Sequence, residues 1–278
     1  MTRAGWRGAG RRLGFGLSTI LGAAPRGFFI PYRYAAGAEP LAYPALEPLF
    51  SEAEPRMETV LADIERLGPD LRAIRDGAGP ARFDQDWFPR LDAAAAYALV
   101  RRERPARIVE IGSGHSTRFL ARAVADGDLP TTITAIDPSP RASLASLGVR
   151  HEARMLGTGD AALLAAGDIL FVDSSHVAMP GTDLDRIVGD LLPRLPAGAL
   201  VHLHDILLPD PYPEAWRWRG YNEQIVVAAL LQGGAYEIVF SSRWVASRHP
   251  DRLEQGALGE IPLRSGAFET SLWLRKQR

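Results

Sequence analysis

The period of the apolar positions changes along the chain. Val60, Leu61, Ile64, Leu67, Leu71 and Ile74 fall on one face at helical spacing. Ser51 and Glu54 stand before them at the spacing of a capping box, so one helix is expected from about 51 to 74, its stripe packed into a core. The segment DGAGP at 76–80 breaks this pattern, and an alanine-rich helix is expected at 91–102. Short apolar runs of strand length follow at 107–111, 131–136, 149–155, 168–172 and 199–204, and two more at 236–241 and 268–274. Helix-like stretches separate them. These are FLARAVA from Phe119, a run with Leu184, Ile187, Val188, Leu191 and Leu192 stopped by Pro193, and 221–231. The alternation predicts an α/β protein with a Rossmann-like, doubly wound, mostly parallel seven-stranded sheet and helices on both faces. An N-terminal helical and irregular extension precedes it, with domains expected at 1–80 and 81–278.

The runs end on polar residues, and that is where chemistry is sought, because open α/β sheets bind ligands beyond their strand carboxyl ends. The first run, RIVEIGSGHST, carries Glu110 into a turn in which Gly112 and Gly114 let a ligand approach the backbone. Ser113, His115 and Ser116 add donors around that turn. A dinucleotide fingerprint would have glycine where Thr117 stands, and Glu110 would oppose a pyrophosphate, so a nucleoside cofactor with a cationic end suits the turn better. Asp137, 23 residues after Gly114, closes the second run, where it could accept hydrogen bonds from ribose hydroxyls or cap the segment from Ser139. The fourth run ends in Asp173, Ser174, Ser175 and His176, and the fifth in His204 and Asp205.

Composition narrows the field. The chain has 278 residues, a net charge of −1 and no cysteine, which excludes disulfides and thiolate metal sites and argues against a general nucleic-acid surface. No apolar run reaches the length of a bilayer span; the segment 13–24 is the nearest, and a cytoplasmic location is expected. Residues 1–37 hold six arginines and no acidic residue. The second half of this arm, FFIPYRYA, is too apolar to float freely, so it is expected to pack on the main domain or on a second subunit, with membrane-surface contact left open.

An acidic residue before GxG, with Asp137 closing the next strand, resembles the S-adenosylmethionine site of class I methyltransferases. The later wording, ILFVDSSH and ALVHLHDI, is similar to a bacterial branch of that family whose substrates are often unassigned. The resemblance implies S-adenosyl-L-methionine held by Glu110, Gly112, Ser113, Gly114, Ser116, Asp137 and Asp173, with Asp160 near the adenine. It implies methyl transfer, expected on a hydroxyl of a small molecule or glycan. His176 and His204 are candidate general bases, oriented by Asp173 or Asp205. In catechol-type O-methyltransferases the positions of Asp173 and Asp205 ligate magnesium, but Ile206 replaces the third ligand, leaving His176, His204 or Asn222 as substitutes. His202 reads as a core histidine. Trp216, Trp218 and Tyr221 form a loop that either stacks on an acceptor or packs as a lid. A nicotinamide-dependent oxidoreductase and a non-catalytic binding module are the alternatives.

Overall fold

Seven strands form one sheet in the order β3-β2-β1-β4-β5-β7-β6. They are β1 (Arg107–Ile111), β2 (Thr132–Ile136), β3 (Arg150–Glu152), β4 (Ile169–Val172), β5 (Leu200–Leu203), β6 (Tyr236–Ser241) and β7 (Leu272–Lys276). The first five pair in parallel, and β7 enters antiparallel between β5 and β6. This is the expected Rossmann-like class. The computed structural model describes residues 3–140 and 143–278.

The register sets up everything that follows. Ile111 lies beside Ile136 and Val172, and Val172 beside Leu203, so the central strands end level with one another. The next residues continue the ladder: Gly112 N–H donates to Ile136 O at 3.1 Å, Asp173 N–H to Ile111 O at 2.9 Å and His204 N–H to Val172 O at 3.0 Å. Gly112, Asp137, Asp173 and His204 therefore stand in one row at the carboxyl edge. β4 and β5 are buried throughout, as parallel strands covered on both faces should be.

The chain divides into two compact units, Met1–Pro40 and Leu41–Arg278. The first contains helix α1 (Arg3–Ile20). In the second, the single helix expected over 51–74 is three: α2 (Glu47–Glu52), α3 (Glu54–Arg66) and α4 (Gly68–Arg75). Pro55 and Pro69 lie in the first turns of α3 and α4, where a missing N–H costs nothing but a preceding helix cannot continue. Ser51 is consequently inside α2, and no side-chain cap forms at α3. The apolar stripe is core as expected, with Val60, Ile64, Leu71 and Ile74 fully buried. The second unit begins at Leu41, so the boundary expected at 80 falls inside it; α3 packs on β6 and on α5 (Arg90–Glu103). Ala93–Ala96 are all buried, and their small side chains let α5 lie close to α3 and to α6 (His115–Asp126). Among the described residues no helix is long and apolar enough to cross a membrane.

Candidate functional site

Two cavities open at the row of strand ends. One, of about 220 Å3, is lined by the turn Gly112–Ser116 together with Ile136, Asp137, Ser139, Arg154 and Asp173. The other, of about 260 Å3, has Asp173, His204 and Asp205 at its floor and Trp216, Trp218, Tyr221 and Phe268 around it. Trp87 and Asp173 line both.

In the first cavity the turn is held from two sides. Asp137 Oδ2 accepts from Ser113 N–H at 2.7 Å and Ser113 Oγ at 2.9 Å, and its Oδ1 accepts from Ser139 N–H at 2.7 Å. Asp137 thus fixes the backbone at Ser139 and also faces the cavity. Gly112 has φ +82°, and a Cβ there would lie 1.9 Å from the Asp173 carbonyl oxygen. Its glycine is demanded by the neighbouring strand end as well as by the turn. Thr117, fully buried, accepts the Gly114 N–H on Oγ1 at 2.9 Å and closes the first turn of α6.

Glu110 is not on the cavity wall. It lies behind Ser116, fully buried, with Oε1 accepting from Ser116 Oγ at 2.6 Å and Oε2 without a protein partner. Burial pushes its carboxyl up to about 8, against the opposing hydrogen bonds from Ser116 and Thr117. Asp160 also stands back from the wall. It forms a two-pronged pair with Arg154, at 2.9 and 2.8 Å, and accepts from Gly157 N–H at 2.8 Å, so Arg154 rather than Asp160 lines the cavity. His115 stacks on Trp87 with ring centroids 5.4 Å apart and planes 6° apart, and burial lowers its pKa to about 4, keeping it neutral. Trp87 is positioned by Gln85, whose Oε1 accepts the N–H groups of Trp87 at 2.9 Å and Phe88 at 2.7 Å.

The second cavity's floor is a ring of charges. His176 Nε2 lies 3.4 Å from Asp173 and 3.6 Å from Asp205, and His204 Nδ1 lies 3.5 and 3.6 Å from the same two carboxylates. Each histidine has a second carboxylate behind it: Glu223 at 2.8 Å from His176 Nδ1, and Asp92 at 3.4 Å from His204 Nε2. Burial opposes a charged imidazole, yet Asp173 and Glu223 hold His176 up at about 10, and Asp173 and Asp205 hold His204 well above its usual value. Burial alone would raise the Asp173 carboxyl, but the His204 and His176 charges keep it well below the usual range. The surrounding carboxylates thus favour the charged form of both histidines over the neutral form that a general base would need. His176 and Asp205 have φ of +59° and +54°, conformations that cost a non-glycine residue about 1–3 kcal/mol and collect at functional sites.

The donor set fits magnesium poorly. Asp173 and Asp205 converge as expected, but among the described residues no group of three or more His, Asp or Glu is arranged to hold an ion. Asn222 is committed, its Oδ1 accepting from Ala178 N–H at 2.6 Å, and Ile206 is buried. The positive charge facing Asp205 comes from His176, His204 and Arg219, whose Nη1 is 3.4 Å away and whose guanidinium lies over Trp216 at 4.0 Å. Oxygen donors for a hard cation are limited to two carboxylates already paired with nitrogen cations.

Glu223, Asp92, Trp87 and Arg219 complete the site. Asp92 had one signal, a lone carboxylate in an alanine-rich helix; fully buried, it accepts from Thr270 N–H and Ser271 N–H at 2.9–3.1 Å. His202 is the core histidine expected, stacked on Phe171 at 3.7 Å, bonded to Ser271 Oγ at 2.8 Å and held neutral by burial.

Residues 109–206 match the model of a family described as a methyltransferase domain. Similar solved structures include the SAH-bound methyltransferase PaMTH1 of Podospora anserina, 14% identical over 91% of this chain and 100% of that one, with a TM-score of 0.40. The O-methyltransferase TomG of Streptomyces achromogenes is 18% identical over 79% of this chain and 90% of its own, TM-score 0.43. An O-methyltransferase of Bacillus cereus with SAH is 14% identical over 79% and 91%, TM-score 0.41. No curated protein matches the chain. The family match runs from within β1 to just past β5, the segment that supplies the row of strand ends, and agrees with the resemblance to methyltransferases.

Proposed function

We propose that this methyltransferase domain binds S-adenosylmethionine in the Gly112–Asp137 cavity and transfers its methyl group to a hydroxyl of a small molecule or glycan in the adjoining chamber. The observation that carries the reading is the shared wall: Asp173 and Trp87 border both cavities, so a donor in one and an acceptor in the other meet at the carboxyl edge of β4. When bound, the cofactor supplies an electrophilic methyl on a sulfonium, and the protein's part is alignment and handling of one proton.

The turn fits such a nucleoside. Asp137 Oδ1 has one acceptor site left for a ribose hydroxyl, and Ser116 lies between the cavity and buried Glu110, on the side where a cationic amino-acid end would come. On the acceptor side, the Asp173 and Asp205 carboxylates accept the hydroxyl's hydrogen bond and orient its oxygen toward the donor. The proton would pass to the Asp173 or Asp205 carboxylate, beside His176 and His204, as the new O–C bond forms and the sulfur–methyl bond breaks to leave S-adenosylhomocysteine. Because the carboxylates favour the charged form of both histidines, the cluster becomes a stronger acceptor as pH rises and they lose protons, and turnover is expected to climb through the alkaline range.

The nicotinamide reading is weaker here. Thr117 takes up the Gly114 N–H, one of the amides a pyrophosphate would use at the start of α6. Calorimetry with S-adenosylhomocysteine tests the proposal directly: well-folded protein that gives no binding heat, or that binds NADH instead, would defeat it. Labelled cofactor incubated with cell extract then identifies the product that gains the methyl group.

A further inference from the structure

We infer that α1 and the aromatic segment after it form a docking surface for an anionic lipid bilayer. Residues 1–38 contain six arginines and no acidic residue, while the remaining 240 residues hold 26 basic and 33 acidic side chains, a net −7. The charge of this chain is thus segregated, and the arm alone is suited to a negative surface.

Its apolar side chains are arranged to match. Leu13, Leu17 and Ile20 recur on one face of α1 at helical spacing and all are exposed, Leu13 by 66%. Leu21, Phe28, Phe29, Ile30, Tyr32 and Tyr34 continue the exposed apolar surface beyond the helix end. Arg12 lies off the leucine stripe by the helical period, and Arg26 stacks over Phe15 at 5.4 Å. A helix with an apolar face, an arginine-bearing remainder and flanking aromatics lies in the plane of a membrane interface, the apolar face sunk to the acyl boundary and the tyrosines at headgroup level. Spanning is excluded for α1 by its arginines, and among the described residues no helix meets the requirement.

Five of the 18 residues of α1 are glycine, so the helix is weak in water and gains from a surface that rewards its amphipathic form. The arm of a second copy is a poorer occupant: two arms that each carry six positive charges repel one another.

The test uses the full chain with vesicles of phosphatidylcholine containing about one-third phosphatidylglycerol, and with pure phosphatidylcholine. The protein is expected to sediment with the anionic vesicles only, to gain helical circular dichroism on them, and to be released by raised salt. Each arginine near such a surface contributes roughly fivefold to partitioning, so Arg12→Glu should weaken binding more than fivefold. Leu17→Asp with Ile20→Asp should abolish it while S-adenosylhomocysteine binding, read by calorimetry, stays unchanged. No retention on anionic vesicles would overturn the inference. So would a wild-type dimer by light scattering that becomes a monomer in the double variant without any lipid binding, since the face would then belong to a second copy.

Discussion

Glu110→Gln should make the unliganded protein more stable, by an amount that grows with pH. The carboxyl is fully buried, and burial lifts its pKa from 4.5 to about 8. Below pH 4.5 the folded and unfolded chains both hold the proton and the group costs nothing. Between 4.5 and about 8 only the folded chain keeps it, so the unfolded state is favoured tenfold more for every pH unit climbed. Above about 8 both states are ionised and the penalty stops growing. At pH 7 the difference corresponds to about 3 kcal/mol, an upper figure because the amide must still be accommodated where Oε2 has no partner. Gln keeps the oxygen that accepts from Ser116 and never ionises, so it escapes the penalty. Urea denaturation of both proteins at pH 5, 6, 7, 8 and 9 measures the gap. It should be small at pH 5, widen to pH 8 and then level off. A gap that is the same at pH 5 and pH 8 would show that Glu110 titrates normally, and the burial argument would fail.

Gly112→Ala should lose about 3–5 kcal/mol or fail to fold, because its Cβ would overlap the Asp173 carbonyl at 1.9 Å and a positive φ adds strain; thermal denaturation reads this. Asp205→Ala should cut turnover at least a hundredfold while S-adenosylhomocysteine affinity, measured by calorimetry, stays within about threefold; equal loss of both would make the residue structural. Glu223→Gln should lower the pKa of His176 from about 10, visible as an earlier imidazole titration by NMR, and shift the alkaline limb of the turnover profile the same way. An unmoved titration would remove Glu223 from the proton network.

What the sequence could reveal was set by locality. The strand ends were legible because each sits next to its own apolar run, and Asp137, Asp173, His204 and Asp205 were found that way. The pairings behind the histidines were not, since Asp92 lies 112 residues from His204 and Glu223 lies 47 from His176, and only the folded chain brings them together. Glu110 was located but misplaced in depth: with four of five β1 residues buried, no alternation told which side of the sheet its carboxyl would take. The last strand begins at Leu272 rather than 268 because Glu269 turns to Arg90, at 2.8 and 3.0 Å, and Thr270 and Ser271 donate backbone N–H groups to Asp92. Pro55 and Pro69 were visible in the sequence, yet the stripe crossing them kept its phase because three short helices packed end to end bury the same side as one long helix.

The pinch between residue 112 and the peptide of residue 173 limits how this fold can diversify. A backbone atom sits where any larger residue would intrude, so the glycine turn and the end of β4 must drift together or not at all. Changes of what the second cavity can hold fall to its rim, from Trp216 to Tyr221 and around Phe268, where side chains can be exchanged without prying two strands apart. Descendants of this chain should therefore share a floor and differ in their roof.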